Sequence, residues 1–369
     1  MSKNIIICCD GTGNEYGDSL TNVFKLYSFS EKRTAKQIAF YDPGIGTFSA
    51  PGALTKPAKV ITKVLGQAFG LGLTKNIADA YKYLMYNYED GDNIYIFGFS
   101  RGAYTARAVA AFLYKCGLLY PYNDNLLNYA LKIFKYDMRR EIYKGFKKEF
   151  TRECQVHFMG VWDTVKSVGW IYDPLTLQYT ANNPIVETAR HAISIDERRC
   201  QFRQNHIGNK YKKDIKEVWF TGVHSDVGGS YPEKECGLSQ IALKWMTDEA
   251  RKSGLLINED RYAEIMPQAD VVEANMDADE VDEFDKYHAP MDHKGPIHKS
   301  LNGVWWAAEY SPNMYKDPND NWKRKLKVPR GEWRRMPEGA VLHPTVKQRM
   351  NDDPNYKPPN LPKDYTFGS

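Results

Sequence analysis

Five short apolar runs divide the first two thirds of the chain, and each is followed closely by a glycine, an aspartate or a histidine. These runs are residues 5–9, 37–41, 93–97, 156–162 and 217–223. They are apolar on both faces rather than alternating with polar residues, which is typical of strands buried between two helix layers in a parallel sheet.

Helical patterns occupy the segments between these runs. Apolar residues recur at helical spacing from Ile77 to Tyr88, and residues 103–115 are rich in alanine and end at Gly117, a helix stop signal. Alternation of strand and helix predicts a doubly wound, mainly parallel sheet of the α/β-hydrolase type. Functional residues of such sheets lie at the carboxyl ends of the strands.

The pattern weakens after Leu255. Residues 270–285 are acidic and predict a solvated loop or short helix, and residues 356–362 are proline-rich. The sequence therefore predicts one α/β-hydrolase-like catalytic domain over residues 1–355, elaborated at about 255–349. Residues 356–369 are expected to form an extended or disordered tail.

The composition narrows the function classes. The formal charge of +4 over 369 residues is small, and basic residues are interleaved with acidic ones, which argues against a nucleic-acid partner. The first apolar run is too short for a signal peptide, and no run approaches a membrane span. We expect synthesis as a cytoplasmic protein, with export without a signal peptide left open. The six cysteines have no metal-like spacing, and we expect neither a metal nor a cofactor.

Residues 98–102 (GFSRG) follow one of the apolar runs and open the alanine-rich helix. A nucleophilic serine on a tight strand-to-helix turn needs glycine two residues before and two residues after it, because the turn is crowded there. This context predicts that Ser100 is a nucleophile. The alternative is a serine that caps the helix.

An activated serine requires a histidine base oriented by a carboxylate. Asp163 and His224 follow later apolar runs in the chain order usual for this fold, so they are the predicted acid and base. Asp163 capping a turn and His224 satisfied by a backbone carbonyl are the alternatives. Asp226 is a rival acid and His298 a rival base. Weaker rival bases are His288, His293 and His343.

Residues 10–14 (DGTGN) follow the first run and are glycine-rich. The N–H groups of Gly11 or Thr12, together with that of Arg101, are candidates for an oxyanion hole. Alternatively, Asp10 fixes an ordinary turn there. The side chain of Arg101 either attracts an anionic substrate group or pairs with a carboxylate.

Five segments in one order resemble the α/β-hydrolase domain family that includes the type 1 lipase effectors of bacterial type VI secretion. They are residues 10–14, 41–47, 98–104, 160–165 and 224–229. The resemblance implies esterase or phospholipase A chemistry on a triad of Ser100, Asp163 and His224. It also favours a phospholipid or other acyl ester as substrate, and a transient contact with a membrane surface stays open. The oligomeric state stays open.

Two further segments could contact a lipid, and a second function class is compatible with the strand-end residues. Residues 57–73 have the apolar and cationic pattern of a lipase lid, or of a plain surface helix. The tryptophans and arginines of residues 305–335 pack internally or lie on a membrane. A metal-dependent phosphoesterase is the alternative function, and it would use hard ligands at strand ends. Those ligands would be Asp10, Asp163, His224 and Asp226.

Overall fold

The structure is a computed structural model, and it describes most of the chain. The described residues are 2–11, 19–44, 58–136, 138–165, 169–170, 173–174, 177–267, 289–310, 313–316 and 324–369, with the side chains of 58–71 and of a few other residues excepted.

Regular elements occupy most of the described residues. The strands are β1 (Asn4–Cys9), β2 (Gln37–Asp42), β3 (Asn93–Phe99), β4 (Leu118–Leu119), β5 (Thr151–Arg152), β6 (Val156–Trp162), β7 (Gly169–Trp170), β8 (Asp173–Pro174), β9 (Val186–Ser194), β10 (Asp214–Phe220), β11 (Asn313–Lys316), β12 (Arg324–Lys327), β13 (Ala340–Leu342) and β14 (Tyr365–Phe367). The helices are α1 (Asn22–Phe29), α2 (Ala58–Asn87), α3 (Ser100–Cys116), α4 (Asp124–Lys135), α5 (Arg140–Phe150), α6 (His224–Gly228), α7 (Gly237–Lys252), α8 (Glu259–Ile265), α9 (Val304–Glu309) and α10 (Pro344–Asp352).

The central sheet has eight strands in the order β14-β13-β10-β9-β6-β3-β1-β2, and every neighbouring pair is parallel. The predicted doubly wound parallel fold is confirmed. All five apolar runs form strands of this sheet. The sequence missed β9, because Glu187, Arg190 and His191 interrupt its apolar pattern. It also missed the short strands β13 and β14.

Both faces of the sheet are buried, which explains why its strands are apolar throughout. Ile5 and Ile7 of β1 face a core formed with α2 and α3, whereas Ile6 and Cys8 face a core formed with α1 and α7. Successive strand residues point to opposite faces, so a strand covered on both sides cannot alternate apolar with polar residues. Gly117 ends α3 with a φ of 75°, as its stop signal predicted.

The last residues of the chain belong to the main sheet, so the prediction of a separate extended or disordered tail is wrong for them. Strand β14 pairs with β13, and the N–H of Gly368 donates to Leu342 O at 2.9 Å. Tyr356 is 8% exposed and packs in a cluster with Trp219 and Val346. Its hydroxyl donates to Asp196 at 2.9 Å. Proline content therefore marked a covering segment rather than a loose end.

We expect Tyr356→Ala to lower the free energy of unfolding by about 3 kcal/mol, because it removes a buried ring and leaves a cavity. Lys357→Ala, at the neighbouring exposed position, should change it by less than about 0.5 kcal/mol. Denaturant unfolding of the two variants measures the difference. Equal, small effects would mean that this segment does not pack on the domain.

Candidate active site

Ser100 lies on a sharp turn between β3 and α3. Its φ is 57°, a left-handed conformation that is costly for a residue with a side chain. The two flanking glycines are needed for space. A Cβ on Gly98 would lie 2.6 Å from Gly102 O, and one on Gly102 would lie 2.2 Å from Cys9 O. The crowding expected for a nucleophile elbow is therefore present, with the carboxyl end of β1 packed against the first turn of α3.

Ser100, His224 and Asp163 form one continuous line of hydrogen bonds. Ser100 Oγ lies 2.7 Å from His224 Nε2, and His224 Nδ1 lies 2.5 Å from Asp163 Oδ2. His224 begins α6 just after β10, and Asp163 directly follows β6 with a φ of 39°. All three side chains are buried. The three sequence-predicted residues thus meet at the carboxyl edge of the sheet.

Aromatic rings enclose the imidazole of His224. Phe99 lies with its ring centroid 4.6 Å away, and Phe202 meets the imidazole edge to face at 4.8 Å. Burial lowers the pKa of His224 and outweighs the opposite effect of Asp163. The lowered pKa favours the neutral imidazole, in which Nδ1–H can donate to Asp163 and Nε2 can accept from the Ser100 hydroxyl. This is the protonation state that a general base requires.

Asp163 is held as an anion by Arg334, a residue that the sequence did not assign to the site. Arg334 Nη1 lies 2.5 Å from Asp163 Oδ1, and Nη2 lies 2.9 Å from Oδ2, a bidentate pair. Ser194 N–H donates to the same Oδ1 at 2.9 Å. Burial raises the pKa of Asp163, but the charges and hydrogen bonds of Arg334 and His224 hold it well below its usual range.

Sequence reasoning missed Arg334 because nothing local distinguishes it from the neighbouring arginines. Arg330 and Arg335 are exposed, whereas Arg334 is 1% exposed. Two other buried groups steady the site. His191 Nε2 accepts from Thr164 N–H at 3.1 Å, beside Asp163, and Glu197 accepts from His224 N–H at 3.3 Å. Neither lies in a recognisable motif.

The oxyanion candidates differ in what surrounds them. Gly11 N–H donates to the carboxylate of Asp10 at 2.6 Å. Asp10 also accepts from Thr21 at 2.5 Å and from Tyr41 at 2.6 Å, so it does fix the turn. The Gly11 N–H is thus engaged within its own loop, and Thr12 lies outside the described residues. Arg101 N belongs to the first turn of α3, beside Ser100.

The side chain of Arg101 is half-buried beside the nucleophile, and burial lowers its pKa to about 10. Whether it attracts a substrate group or pairs with a carboxylate stays a prediction.

The rival acid and base pair with each other rather than with the Ser100–His224 pair. His298 Nδ1 lies 2.6 Å from Asp226 Oδ1, and His298 Nε2 lies 3.0 Å from Glu235. Asp226 also accepts from Val223 N–H at 2.9 Å, at the start of α6.

The weaker rival bases have other partners or lie outside the description. His293 lies 2.8 Å from Asp352, and His343 lies 2.8 Å from Thr345. His288 lies outside the described residues.

The metal-dependent alternative needs three or more ligating side chains close together. Within the described part of the chain, no such group of His, Cys, Asp and Glu residues is found. The carboxylate of Asp163 is engaged by Arg334 and His224, and that of Asp10 by its own loop.

The predicted lid falls largely outside the description, because residue 57 and the side chains of 58–71 lie outside the described set. The backbone of 58–71 begins helix α2. Among described residues, no helix is both long enough and apolar enough to span a bilayer.

Residues 3–249 match the family described as "T6SS, Phospholipase effector Tle1-like, catalytic domain". The chain belongs to this family. The predicted resemblance is therefore confirmed, and the match includes all three residues of the Ser100 line. Arg334 lies beyond the matched residues.

This Tle1-like chain covers only part of the length of three proteins that it resembles. It is 37% identical over 220 residues to an uncharacterized protein of Saccharomyces cerevisiae, YEL023C, covering 55% of this chain and 32% of that protein. Its fold is similar to an uncharacterized protein from Pseudomonas aeruginosa, with 20% identity, a TM-score of 0.42, and coverage of 69% of this chain and 46% of that one. A Tle1 effector bound to a VgrG spike is similar at 19% identity and a TM-score of 0.39, covering 64% and 52%. This chain thus spans about half of those two structures.

We expect Gly102→Ala to destabilise the Tle1-like domain by about 1–3 kcal/mol, because the new methyl group meets the backbone of β1. Gly145→Ala is a matched control with the opposite sign. Gly145 is exposed in α5 with no atom near its added Cβ, so alanine should stabilise by up to about 1 kcal/mol. Thermal unfolding of both variants tests the elbow geometry, and a neutral Gly102→Ala would contradict it.

Proposed function

We propose that this protein is a serine hydrolase that cleaves carboxylic esters through an acyl-enzyme, with Ser100 as nucleophile, His224 as base and Asp163 as acid. The observation that carries the proposal is the buried hydrogen-bonded line from Ser100 through His224 to Asp163. Proton transfer requires this contact, and its distances lie within the range for general base catalysis.

The chemistry runs in two halves. Ser100 Oγ attacks the ester carbonyl while His224 Nε2 takes the hydroxyl proton, and Asp163 stabilises the imidazolium that forms. The N–H of Arg101 is the candidate donor to the developing oxyanion. His224 then passes its proton to the leaving alcohol. A water molecule, deprotonated by the same imidazole, then attacks the acyl-enzyme ester. This releases the carboxylic acid product and restores the Ser100 hydroxyl.

Phospholipids are the substrate class that the family membership favours, with phospholipase A-type cleavage of an acyl ester. The buried aromatic surroundings of His224 suit an apolar acyl group better than a charged one. A transient contact with a membrane surface follows from such a substrate. Short-chain esters and phospholipid vesicles separate a general esterase from a phospholipase.

We expect Ser100→Ala to abolish labelling by a fluorophosphonate probe and to lower ester turnover by about 10⁴-fold or more. His224→Ala should lower turnover to a similar extent, and Asp163→Asn by about 10⁴-fold, because an amide NH2 facing Nδ1 holds the imidazole in the wrong tautomer. Labelling and turnover with short-chain and phospholipid substrates measure all three variants.

Two controls sharpen this test. His298→Gln, which removes the rival base, should lower turnover by less than about tenfold. His298 is hydrogen-bonded to Asp226 and Glu235 and not to Ser100 or His224. A chelator should leave the turnover of the wild type unchanged if no metal takes part. Equal loss in His298→Gln and His224→Ala would overturn the assignment of the base, and chelator-sensitive turnover would favour the phosphoesterase alternative.

We also expect kcat/KM to fall as the pH drops through the pKa of His224, because protonation removes the base. Burial lowers that pKa from the ordinary value of 6.5, so the acidic limb should lie below this value. A pH–rate profile from about pH 4 to 9 checks the prediction, and an acidic limb well above 6.5 would contradict it.

A further inference from the structure

Arg334 makes more contacts with the acid of the proposed triad than His224 does. Besides its bidentate pair with Asp163, Nη1 donates to Ser194 Oγ at 2.7 Å, and Nη2 donates to Phe202 O. Phe202 is the ring that packs edge to face on His224. One buried guanidinium thus joins the acid, the strand end beside it and the wall of the imidazole site.

Hydrogen bonds anchor the backbone around Arg334 to two other parts of the chain. Asn360 donates to Arg334 O at 3.0 Å and to Ile195 O at 3.1 Å. Arg198 Nε donates to Gly331 O at 2.8 Å, and Arg203 donates to Trp333 O at 3.1 Å. The backbone next to Arg334 is therefore anchored to the loop after β9 and to the chain before β14. This anchoring determines where the guanidinium lies.

We propose that Arg334 is a positioning residue for catalysis, which fixes the Asp163 carboxylate and sets the pH range in which His224 works as a base. This inference rests on the proposed function. It means that the C-terminal region, beyond the residues that match the family catalytic domain, supplies part of the active site.

The charge of Arg334 has a predictable effect on the base. An isolated Asp163 carboxylate next to His224 would favour the imidazolium, whereas a carboxylate already neutralised by a guanidinium favours it less. Loss of the positive charge should therefore make protonation of the buried Asp163–His224 pair easier, whichever of the two groups takes the proton. The acidic limb of the activity would then move to higher pH.

The other carboxylates near the imidazole already have partners, so they should not mask this effect. Glu197 accepts from His224 N–H and is paired with Arg199 at 2.8 Å; burial raises its pKa, but Arg199 outweighs this and lowers the pKa to about 2. Among the described residues, further charged or titratable groups near the pair include Asp226, held by His298, His191, held by Glu217, and Arg101, which follows Ser100.

The rate of fluorophosphonate labelling of the full chain, followed from about pH 4 to 9, tests the proposal without a known substrate. Arg334→Met should lower the labelling rate at pH 8 by about a hundredfold, since the acid is no longer fixed. The pH midpoint of the acidic limb of this variant's labelling rate should rise by about one pH unit or more. Arg334→Lys keeps the charge and loses the bidentate geometry, so its midpoint should stay near that of the wild type while its rate falls.

Arg349→Met is the matched control. Arg349 is a buried arginine of the same C-terminal region, and it donates to the backbone of His293 and Gly295 rather than to a triad residue. It should lower the unfolding temperature without moving the midpoint. An unchanged midpoint in Arg334→Met, or the same shift in Arg349→Met, would overturn the proposal. If wild type fails to label, the proposed function fails instead, so the two failures are distinguishable.

If Arg334→Met is too unstable to assay, Arg334→Lys and Arg334→Gln at low temperature give the same comparison, because only the lysine retains the charge. An identical midpoint for these two variants would also overturn the role of the charge.

Discussion

The contact between Ser100 and His224 depends on the parallel register of β3, β6, β9 and β10. Their carboxyl ends all lie on one edge, so residues far apart in sequence, such as Ser100, Asp163 and His224, come within hydrogen-bonding distance. A strand running the other way would place its residue at the opposite edge. The site therefore depends on the helix layers that cover both faces of the sheet, because burial of both faces fixes the register of the strands.

The site also depends on charge compensation. A lone carboxylate as deeply buried as Asp163 would be costly in free energy and would take up a proton. Arg334, His224 and the N–H of Ser194 together keep it ionised. Burial also favours the neutral form of His224, so both groups favour the deprotonated form: Asp163 because its counter-charges outweigh burial, and His224 because burial outweighs the charge of Asp163. The short distances between the side chains would not by themselves leave Asp163 charged and His224 neutral.

Much of this arrangement was predictable from sequence because it follows local rules. A glycine-flanked serine after an apolar run reflects crowding at a turn, and aspartate or histidine after later runs reflects the strand ends. The five runs, the long helix after Ser100 and the three residues of the line followed in this way. Strand β9 escaped prediction because Arg190 and His191 are buried in it with partners on other elements, namely Glu249 and Glu217. Such pairing depends on the tertiary structure, because the partners are far apart in the sequence, so a local pattern cannot reveal it.

The buried position of Arg334 could not be predicted from the local sequence. Its neighbours Arg330 and Arg335 have the same chemistry and lie in solvent, so only the path of the chain distinguishes the three. That path is set by Asn360, in a segment whose prolines suggested a loose tail, and by the loop after β9. The Asp163 carboxylate is therefore stabilised by a region whose own sequence has only weak periodicity. A triad assembled from strand ends alone would include a buried carboxylate without its counter-charge, and the fold supplies that charge from the last fifth of the chain.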